Sequence, residues 1–218
     1  MKFVIPAKRS SSRVPDKNYR DFAKGQSLLD ILVTKLTGIA DHPSDVYLSS
    51  EEESTKEIAD KYGATYLPRA RHLTENSYPF QSVVNEVCRQ VPGDDDLMWC
   101  HATDPFFTEY GAVVKAWQDR DPGTSDSIVV VYPMKEYMLD ENFHPMGFGF
   151  GSWHRPSQEL PTFYQLGFTC SIMTRNTATN IGLVGARPLW FKAGNMTIDI
   201  DTQAEFDFAA RLYSLGDA

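Results

Sequence analysis

Short runs of β-branched and aromatic residues alternate along this chain with segments whose apolar residues recur at helical spacing. The runs predict strands at 2–6, 45–49, 64–67, 97–101, 127–132, 168–173 and 189–191. The helical spacing predicts helices at 27–39, 54–62, 80–91, 108–119 and 202–214. Strands that alternate with helices are typical of an α/β fold. We therefore predict a Rossmann-like, mostly parallel open sheet with helices on both faces.

One stretch breaks the alternation. Residues 140–162 combine glycines and prolines with several large aromatic side chains, whereas flexible linkers lack large apolar groups. We find no internal repeat and no low-complexity segment. The expectation is a single domain over 1–218 with a small inserted lobe at about 133–167, called the lobe below.

Charge and composition argue against several classes of function. The chain has 21 basic and 29 acidic side chains, a net charge of −8, and 27 Phe, Tyr and Trp residues in its 218. This balance argues against nucleic-acid and anionic-membrane partners, and the aromatic content argues against disorder. The sequence shows no signal peptide and no apolar run of about 20 residues, so we expect a cytoplasmic protein. Three widely spaced cysteines (Cys88, Cys100 and Cys170) predict buried thiols rather than disulfides or a zinc site.

The segment that follows the first strand has the opposite charge to the rest. Residues 7–24 carry six basic and two acidic side chains, a net charge of +4, so the remainder carries −12. Ligands of open α/β sheets bind beyond the carboxyl ends of strands, and cations together with three consecutive serines suit phosphate groups. The alternative is a solvated surface loop. The segment has the glycine pattern of neither the P-loop nor the dinucleotide-binding fold. We interpret it as a polyphosphate site and call it the basic loop.

Two aspartates stand near the C-terminus. Asp199 and Asp201 alternate with Ile198 and Ile200, which on a strand places both carboxylates on one face. Mg²⁺ binds one or two carboxylates together with phosphate oxygens. In the alternative interpretation Asp199 is solvated and Asp201 only helps to start the following helix, which the capping-box spacing of Thr202 predicts.

Several motifs resemble one enzyme family. Residues 5–18, I-P-A-K-R-S-S-S-R-V-P-D-K-N, resemble the first motif of the cytidylyltransferases that activate acidic sugars, the CMP-sialic acid and CMP-Kdo synthetases. Residues 47–64 and 69–73 resemble the family's next segments, and 101–106 stand where the family has Q-P-T-S-P-L. The resemblance covers nearly the whole chain. It implies a cytidylyltransferase that transfers CMP from CTP to an acidic acceptor and releases pyrophosphate.

The resemblance also implies roles for individual residues. It assigns nucleotide binding to Pro6, Ala7, Lys8, Ser11, Ser12, Arg13, Lys17, Asn18, Arg69, His101 and Thr103. It assigns Mg²⁺ binding to Asp199 and Asp201, and the chemical step to Lys8, Arg13, Lys17 and Asp201. Catalysis of this kind is mainly electrostatic, because cations neutralise the leaving pyrophosphate and align the attack.

The acceptor side departs most from the family pattern. The resemblance implies acceptor binding by Lys135, Arg155, Tyr164 and Gly167. Gly167 stands at the family's sugar-contacting Asn, and Arg155 lies two residues from the position of its acceptor-binding Arg. Further departures are Lys8 for Arg, His101 for Gln and Asp104 for Ser. We expect a small anionic acceptor other than N-acetylneuraminate, either another sugar acid, such as a nonulosonic acid or Kdo, or a phosphonate. Family members often form homodimers through the lobe, and the same is expected here.

Two other functions are compatible with part of these features. A metal-dependent nucleotide-sugar glycosyltransferase also uses D-x-D, but usually places the motif mid-chain rather than close to the C-terminal end. A non-catalytic nucleotide-binding paralogue would explain the departures from the family pattern. The presence of both Asp199 and Asp201 disfavours that alternative.

Overall fold

A seven-stranded sheet forms the centre of the structure, a computed structural model that describes residues 1–9, 13–194 and 197–216. Its strands are β1 (Lys2–Pro6), β4 (Val46–Ser50), β5 (Thr65–Pro68), β6 (Leu97–Cys100), β7 (Ser127–Met134), β8 (Phe163–Met173) and β9 (Pro188–Lys192). They lie in the order β5-β4-β1-β6-β8-β7-β9. All neighbours pair in parallel except β8, which runs antiparallel to both β6 and β7. The predicted mostly parallel sheet is confirmed.

Helices cover both faces of the sheet. They are α1 (Leu28–Thr37), α2 (Thr55–Tyr62), α3 (Phe80–Gln90), α4 (Tyr110–Gln118), α5 (Arg175–Asn180) and α6 (Gln203–Leu215). On the buried strand β1, Phe3 and Ile5 pack with the apolar residues of α1, α4 and α6, whereas Val4 packs with those of α3 and α5. Successive side chains on a strand point to opposite faces, so one apolar run supplies both cores. The prediction of helices on both faces is confirmed.

The elements that the sequence did not predict are short or exposed. β2 (Asp21–Ala23) and β3 (Gln26–Ser27) form a small antiparallel hairpin directly before α1. The short polar helix α5 begins where the side chain of Thr174 accepts a hydrogen bond from the backbone of Thr177. Neither segment has the apolar periodicity from which elements are predicted.

β7 and β8 are longer than predicted and extend out of the sheet into the lobe. The last four residues of β7, from Val131 to Met134, pair with the first four of β8, from Phe163 to Leu166. Side chains on both faces of this part of β8 are exposed or half-buried, so no hydrophobic alternation marks it. Between the two strands, residues 135–162 contain two 3₁₀ turns, Gly151–Trp153 and Ser157–Glu159.

The topology brings the loops that carry the predicted site to one edge. β5, β4, β1 and β6 are parallel neighbours, so their carboxyl ends lie side by side. The basic loop leaves β1, and Arg69 and His101 each directly follow their strands, β5 and β6. This edge is where open α/β sheets bind ligands.

The burial of the cysteines agrees with the sequence prediction. Cys88, Cys100 and Cys170 are free and buried, as predicted. Among the residues described, no helix combines the length and the apolar character needed to cross a bilayer.

Asp30 joins α1 to α2. It completes a capping box at the start of α1, in which the Asp30 carboxylate accepts a hydrogen bond from the backbone N–H of Ser27 at 3.0 Å. The same carboxylate accepts hydrogen bonds from the Lys61 ammonium at 2.8 Å and the Tyr62 hydroxyl at 2.7 Å. Burial acts to raise the pKa of Asp30, but the hydrogen bonds from Lys61, Ser27 and Tyr62 outweigh it and lower the pKa to about 2.

We predict that Asp30→Asn lowers the free energy of unfolding by about 2 kcal/mol at pH 7, because a carboxyl pKa lowered from 3.8 to about 2 stabilises the fold by that amount. A lowered folded-state pKa stabilises at pH values above the unfolded-state pKa. The difference between wild type and variant should therefore shrink as the pH falls from about 4 towards 2. Urea unfolding at pH 7 and pH 3 measures it.

Asp119→Asn is the matched control, because Asp119 forms an exposed i,i+4 pair with Lys115. Exposed pairs contribute less than about 1 kcal/mol, so this variant should unfold like wild type at both pH values. An equal effect of the two substitutions would contradict the role given to Asp30.

Candidate active site

A cavity of about 660 Å³ lies at the carboxyl edge of the sheet. Most of the predicted nucleotide residues and both predicted metal ligands line it. They are Pro6, Lys8, Arg13, Lys17, Asn18, Arg69, His101, Thr103, Asp199 and Asp201. The structure thus brings together residues that lie more than 180 positions apart in the sequence. Ser11 and Ser12 lie outside the described residues, and Ala7 is buried with its backbone N–H bonded to the carbonyl of Ser49 at 2.9 Å.

Lys17 is the buried cation of the basic loop. Its ammonium donates a hydrogen bond to the carbonyl of Ile200 and lies 3.6 Å from an oxygen of Asp201. Burial lowers the pKa of Lys17, while the charges of Asp201 and Asp199 oppose this effect. The basic loop is therefore attached to the segment that precedes α6, and Lys17 is held at the junction.

Arg13 and Lys8 are less constrained. Arg13 has 64% of its side chain exposed, and its guanidinium lies 2.7 Å from Asp201 Oδ1. The ammonium of Lys8 donates a hydrogen bond to the side-chain oxygen of Asn76 at 2.8 Å. Exposed pairs of this kind contribute little stability, so a polyphosphate can replace these partners at small cost.

The segment that carries the two aspartates differs from its predicted form. The period of two would suit a strand, but residues 197–202 form none, and no described strand pairs with them. The alternation of sides persists all the same, since Ile200 is buried and Asp199 is exposed. The backbone N–H of Ile200 donates to the carbonyl of Thr103 at 2.9 Å, which fixes the segment against the loop after β6.

α6 begins directly after this segment, as predicted. The Glu205 carboxylate accepts hydrogen bonds from the backbone N–H groups of Asp201 and Thr202 at 2.8 and 2.7 Å, and the Thr202 side chain caps the helix. These bonds lower the pKa of Glu205. The Asp201 side chain takes no part in the cap, so its carboxylate faces the cavity.

The donor set fits a magnesium ion that is shared with a polyphosphate. Asp199 and Asp201 line the same cavity as the cations of the basic loop. Mg²⁺ takes one or two carboxylates when phosphate oxygens complete its shell. Among the described residues, no group of three or more His, Cys, Asp and Glu side chains is placed to hold a metal on its own. A metal at this site would therefore depend on a bound phosphate ligand.

Two buried polar atoms beside the cavity have no hydrogen-bond partner among the described residues. They are Arg69 Nε, a donor, and Asn18 Oδ1, an acceptor. The Arg69 guanidinium is otherwise fixed by a buried ion pair with Glu51, at 3.1 Å. Buried polar groups are almost always hydrogen-bonded in native proteins. An unpaired donor and acceptor beside a cavity are groups that a polar ligand would satisfy.

His101 is a neutral residue at the centre of the cavity wall. Burial lowers its pKa to about 4, the charge of Lys17 acts in the same direction, and a hydrogen bond to the backbone of Phe168 opposes both. The indole N–H of Trp99 donates to His101 Nε2 at 2.8 Å. Both ring nitrogens therefore have partners, and His101 is neither a cation nor a free general base at pH 7.

An aromatic and aliphatic wall was missed by the sequence analysis. Its residues are Leu73, Tyr78, Phe80, Val83, Trp99 and Phe168. The ring of Phe80 lies 6.5 Å from that of Trp99 and 6.0 Å from that of His101. Their spacing indicated only strand and helix cores. The wall could have been predicted only from the positions of its residues in the fold, since Phe80 begins α3 and Phe168 lies where β8 passes the site.

The four predicted acceptor residues do not line this cavity. The Lys135 ammonium donates to the carbonyl of Gln158 at 3.0 Å within the lobe, and Tyr164 lies under the Lys192 ammonium. Arg155 is exposed in the lobe, and Gly167 packs against Tyr132. Their part in acceptor binding stays a prediction.

Comparison with known proteins identifies the family. Residues 2–142 match the model of a family described as cytidylyltransferase. Over 97% of its length the chain is 26% identical to pseudaminic acid cytidylyltransferase from Campylobacter jejuni, of which 95% is covered.

The fold is shared with solved structures at lower identity. A CMP:2-keto-3-deoxy-manno-octonic acid synthetase complexed with CTP matches with a TM-score of 0.68, 13% identity and 98% of each chain covered. A 4-diphosphocytidyl-2C-methyl-D-erythritol synthase from Anaerococcus prevotii matches with a TM-score of 0.64, 11% identity, and 97% and 96% covered. These matches confirm the predicted Rossmann-like fold. Because the family match extends from β1 into the lobe, well over half of the sequence, the chain belongs to the cytidylyltransferase family.

Proposed function

We propose that this protein transfers CMP from CTP to a nonulosonic-type sugar acid and releases pyrophosphate. One observation carries the proposal: cations of the basic loop and the two aspartates line a single cavity at the carboxyl edge of the sheet. A triphosphate needs such a combination, because its charge must be balanced on several oxygens at once. The similarity to a pseudaminic acid cytidylyltransferase supports a sugar acid as the acceptor.

The positions of the charged side chains indicate how the nucleotide would bind. Lys8, Arg13 and Lys17 would bind the phosphates, with the buried Lys17 fixed and the exposed Arg13 free to follow the leaving group. Arg69 Nε and Asn18 Oδ1 would hydrogen-bond the nucleoside through the donor and acceptor that have no partner among the described residues. Phosphoryl transfer needs little covalent help, so these contacts would contribute most of the catalysis.

Asp199 and Asp201 would hold Mg²⁺. When bound, such an ion would neutralise phosphate charge and thereby ease attack by an anionic acceptor. Formation of this site would require Arg13 to exchange Asp201 for a phosphate. Because Arg13 is mostly exposed, that exchange needs no rearrangement of the core.

No histidine among the described cavity residues is free to act as a base for the acceptor hydroxyl. His101 is neutral, but both of its ring nitrogens are engaged. We propose that deprotonation of the acceptor relies on the charge around the α-phosphate rather than on a histidine. The wall of Phe80, Trp99 and Phe168 would contact apolar parts of the substrates and exclude water.

We also propose that the protein is a homodimer that associates through the lobe. Phe150 and Trp153 have 64% and 83% of their surfaces exposed. They adjoin a cluster in which Tyr137, Phe148 and His154 stack or meet edge to face at 4.9 to 6.4 Å. Exposed apolar patches of this kind mark interaction sites on soluble proteins.

Asp201→Asn should reduce pyrophosphate release from CTP and acceptor by roughly 100-fold or more, because metal-bound phosphate charge stabilises the transition state by several kcal/mol. The melting temperature should change little, since the Asp201 side chain takes no part in the helix cap. Asp207→Asn on the exposed face of α6 is the control and should keep full activity. Full activity of Asp201→Asn would contradict the assignment.

A coupled pyrophosphate assay with CTP and a panel of acceptors tests the substrate class. We expect turnover with a nonulosonic acid and at least tenfold lower kcat/KM with Kdo and with phosphonates, since a missing polar contact costs more than 1.4 kcal/mol. Turnover with a phosphonate alone would overturn the sugar-acid proposal. A CDP- or UDP-sugar that served as donor without pyrophosphate release would indicate a glycosyltransferase.

Light scattering after gel filtration should give twice the chain mass of 24.6 kDa for wild type. The double variant Phe150→Ser with Trp153→Ser should run as a monomer, because the apolar contact area would be lost. Trp190→Ser on the edge strand β9, half-exposed and outside the lobe, is the control and should stay dimeric. A monomeric wild type would contradict the dimer.

A further inference from the structure

A buried carboxylate lies behind the proposed metal ligands without lining the cavity. Asp104 is 3% exposed and follows β6 in the loop that also carries Thr103. Its oxygens accept hydrogen bonds from the backbone N–H of Phe107 at 3.2 Å, the Tyr132 hydroxyl at 2.9 Å, the Thr169 hydroxyl at 2.8 Å, and the Thr197 hydroxyl. Asp104 therefore joins its own loop, β7, β8 and the segment before α6.

The contact with Thr197 sets this network apart from an ordinary buried polar cluster. Thr197 lies two residues before Asp199, on a segment that no strand supports. One residue after Asp199, the N–H of Ile200 donates to the carbonyl of Thr103. Consecutive residues of one loop, Thr103 and Asp104, thus fix the backbone on both sides of Asp199.

The hydrogen bonds of Asp104 suit a carboxylate. Burial and the charge of Asp199 raise its pKa, and the hydrogen bonds from Thr169, Tyr132 and the backbone of Phe107 oppose that effect only in part. Each of its four partners can donate, which is the pattern that an ionised carboxylate satisfies. Lys35, whose ammonium donates to the carbonyl of Phe107 at 2.9 Å, places a positive charge close to the same loop.

A second departure from the family pattern belongs to the same network. A Cβ atom on Gly167 would overlap Cε2 of the Tyr132 ring. Any side chain at this position would therefore displace the ring whose hydroxyl donates to Asp104. Gly167 and Asp104, which both differ from the family motif, are therefore parts of one structural unit.

We propose that Asp104 is a positioning residue for the reaction: through Thr197 it orients Asp199 as a metal ligand. The inference rests on the proposed function, in which Asp199 and Asp201 hold Mg²⁺. Groups that hydrogen-bond or position metal ligands restrict their orientation, and removing one weakens metal binding by about 10- to 100-fold. Asp104 has this role although it touches neither the cavity nor the ion.

Thr197→Val and Thr169→Val form a matched pair that separates positioning from general stability. Each replaces threonine by a residue of the same shape and removes one hydroxyl donor from Asp104. Only Thr197 lies on the segment that carries Asp199. Mn²⁺ binds to the same kind of oxygen ligands as Mg²⁺ and can be followed by electron paramagnetic resonance in the presence of CTP.

We expect Thr197→Val to weaken Mn²⁺ binding in the presence of CTP about tenfold, and Thr169→Val to change it less than twofold. Both should lower the melting temperature by similar amounts, and CTP binding without metal should stay unchanged in both. Excess metal should restore kcat in Thr197→Val. Equal Mn²⁺ affinities in the two variants would overturn the positioning role.

Asp199→Asn serves as the reference for the proposed function itself. If it loses Mn²⁺ binding while Thr197→Val keeps it, the metal site stands and the positioning role of Asp104 is wrong. If Asp199→Asn binds Mn²⁺ as wild type does, the metal assignment fails and the inference falls with it. Loss in Asp199→Asn with partial loss in Thr197→Val supports both.

Discussion

The charge contacts between the basic loop and the segment before α6 are the interaction on which the site depends. Arg13 and Lys17 meet Asp201 and the carbonyl of Ile200, across more than 180 residues of sequence. Without these contacts, positive side chains would crowd one sheet edge and two carboxylates would lie unsupported on a segment that has no strand partner. The positive side chains and the carboxylates neutralise each other, so the cavity contains many charges that are paired locally. A bound triphosphate with a cation would replace one set of paired charges by another.

The cavity has a charged end and an aromatic end. Its charged end lies at β1 and the pre-α6 segment, and its aromatic end lies at β6, α3 and β8. Between them stands His101, which burial keeps neutral. This neutral side chain separates the charged end of the cavity from the aromatic end and adds no charge to either. This arrangement of the two ends follows from the fold, because the strands that end at the cavity are neighbours in the sheet.

The sequence predicted the regular parts of the fold well, since β1 is a continuous apolar run and the helices α1, α3 and α6 have apolar residues at helical spacing. It could not predict the strand extensions in the lobe, where both faces are exposed. At Asp199 the period of two indicated extended backbone, but whether a neighbour pairs with it depends on tertiary structure. Matching the sequence to the family motifs assigned Arg69 and Lys17 to the nucleotide site. It could not reveal that Asp104 and Gly167 act together, because that link exists only through the ring of Tyr132.

β8 has a consequence that reaches beyond catalysis. Its inner residues, from Cys170 to Met173, pair with β6, whereas β7 pairs with both its inner and its outer residues. A register shift in the pairing with β7 separates the outer residues, which end at Leu166, from the inner ones, so β6 holds the inner end whatever sequence the outer end carries. Evolution can therefore change the outer end and the lobe without moving the inner end of the strand. On this scaffold the lobe and the edge of the sheet that carries the cavity are free to diverge at different rates.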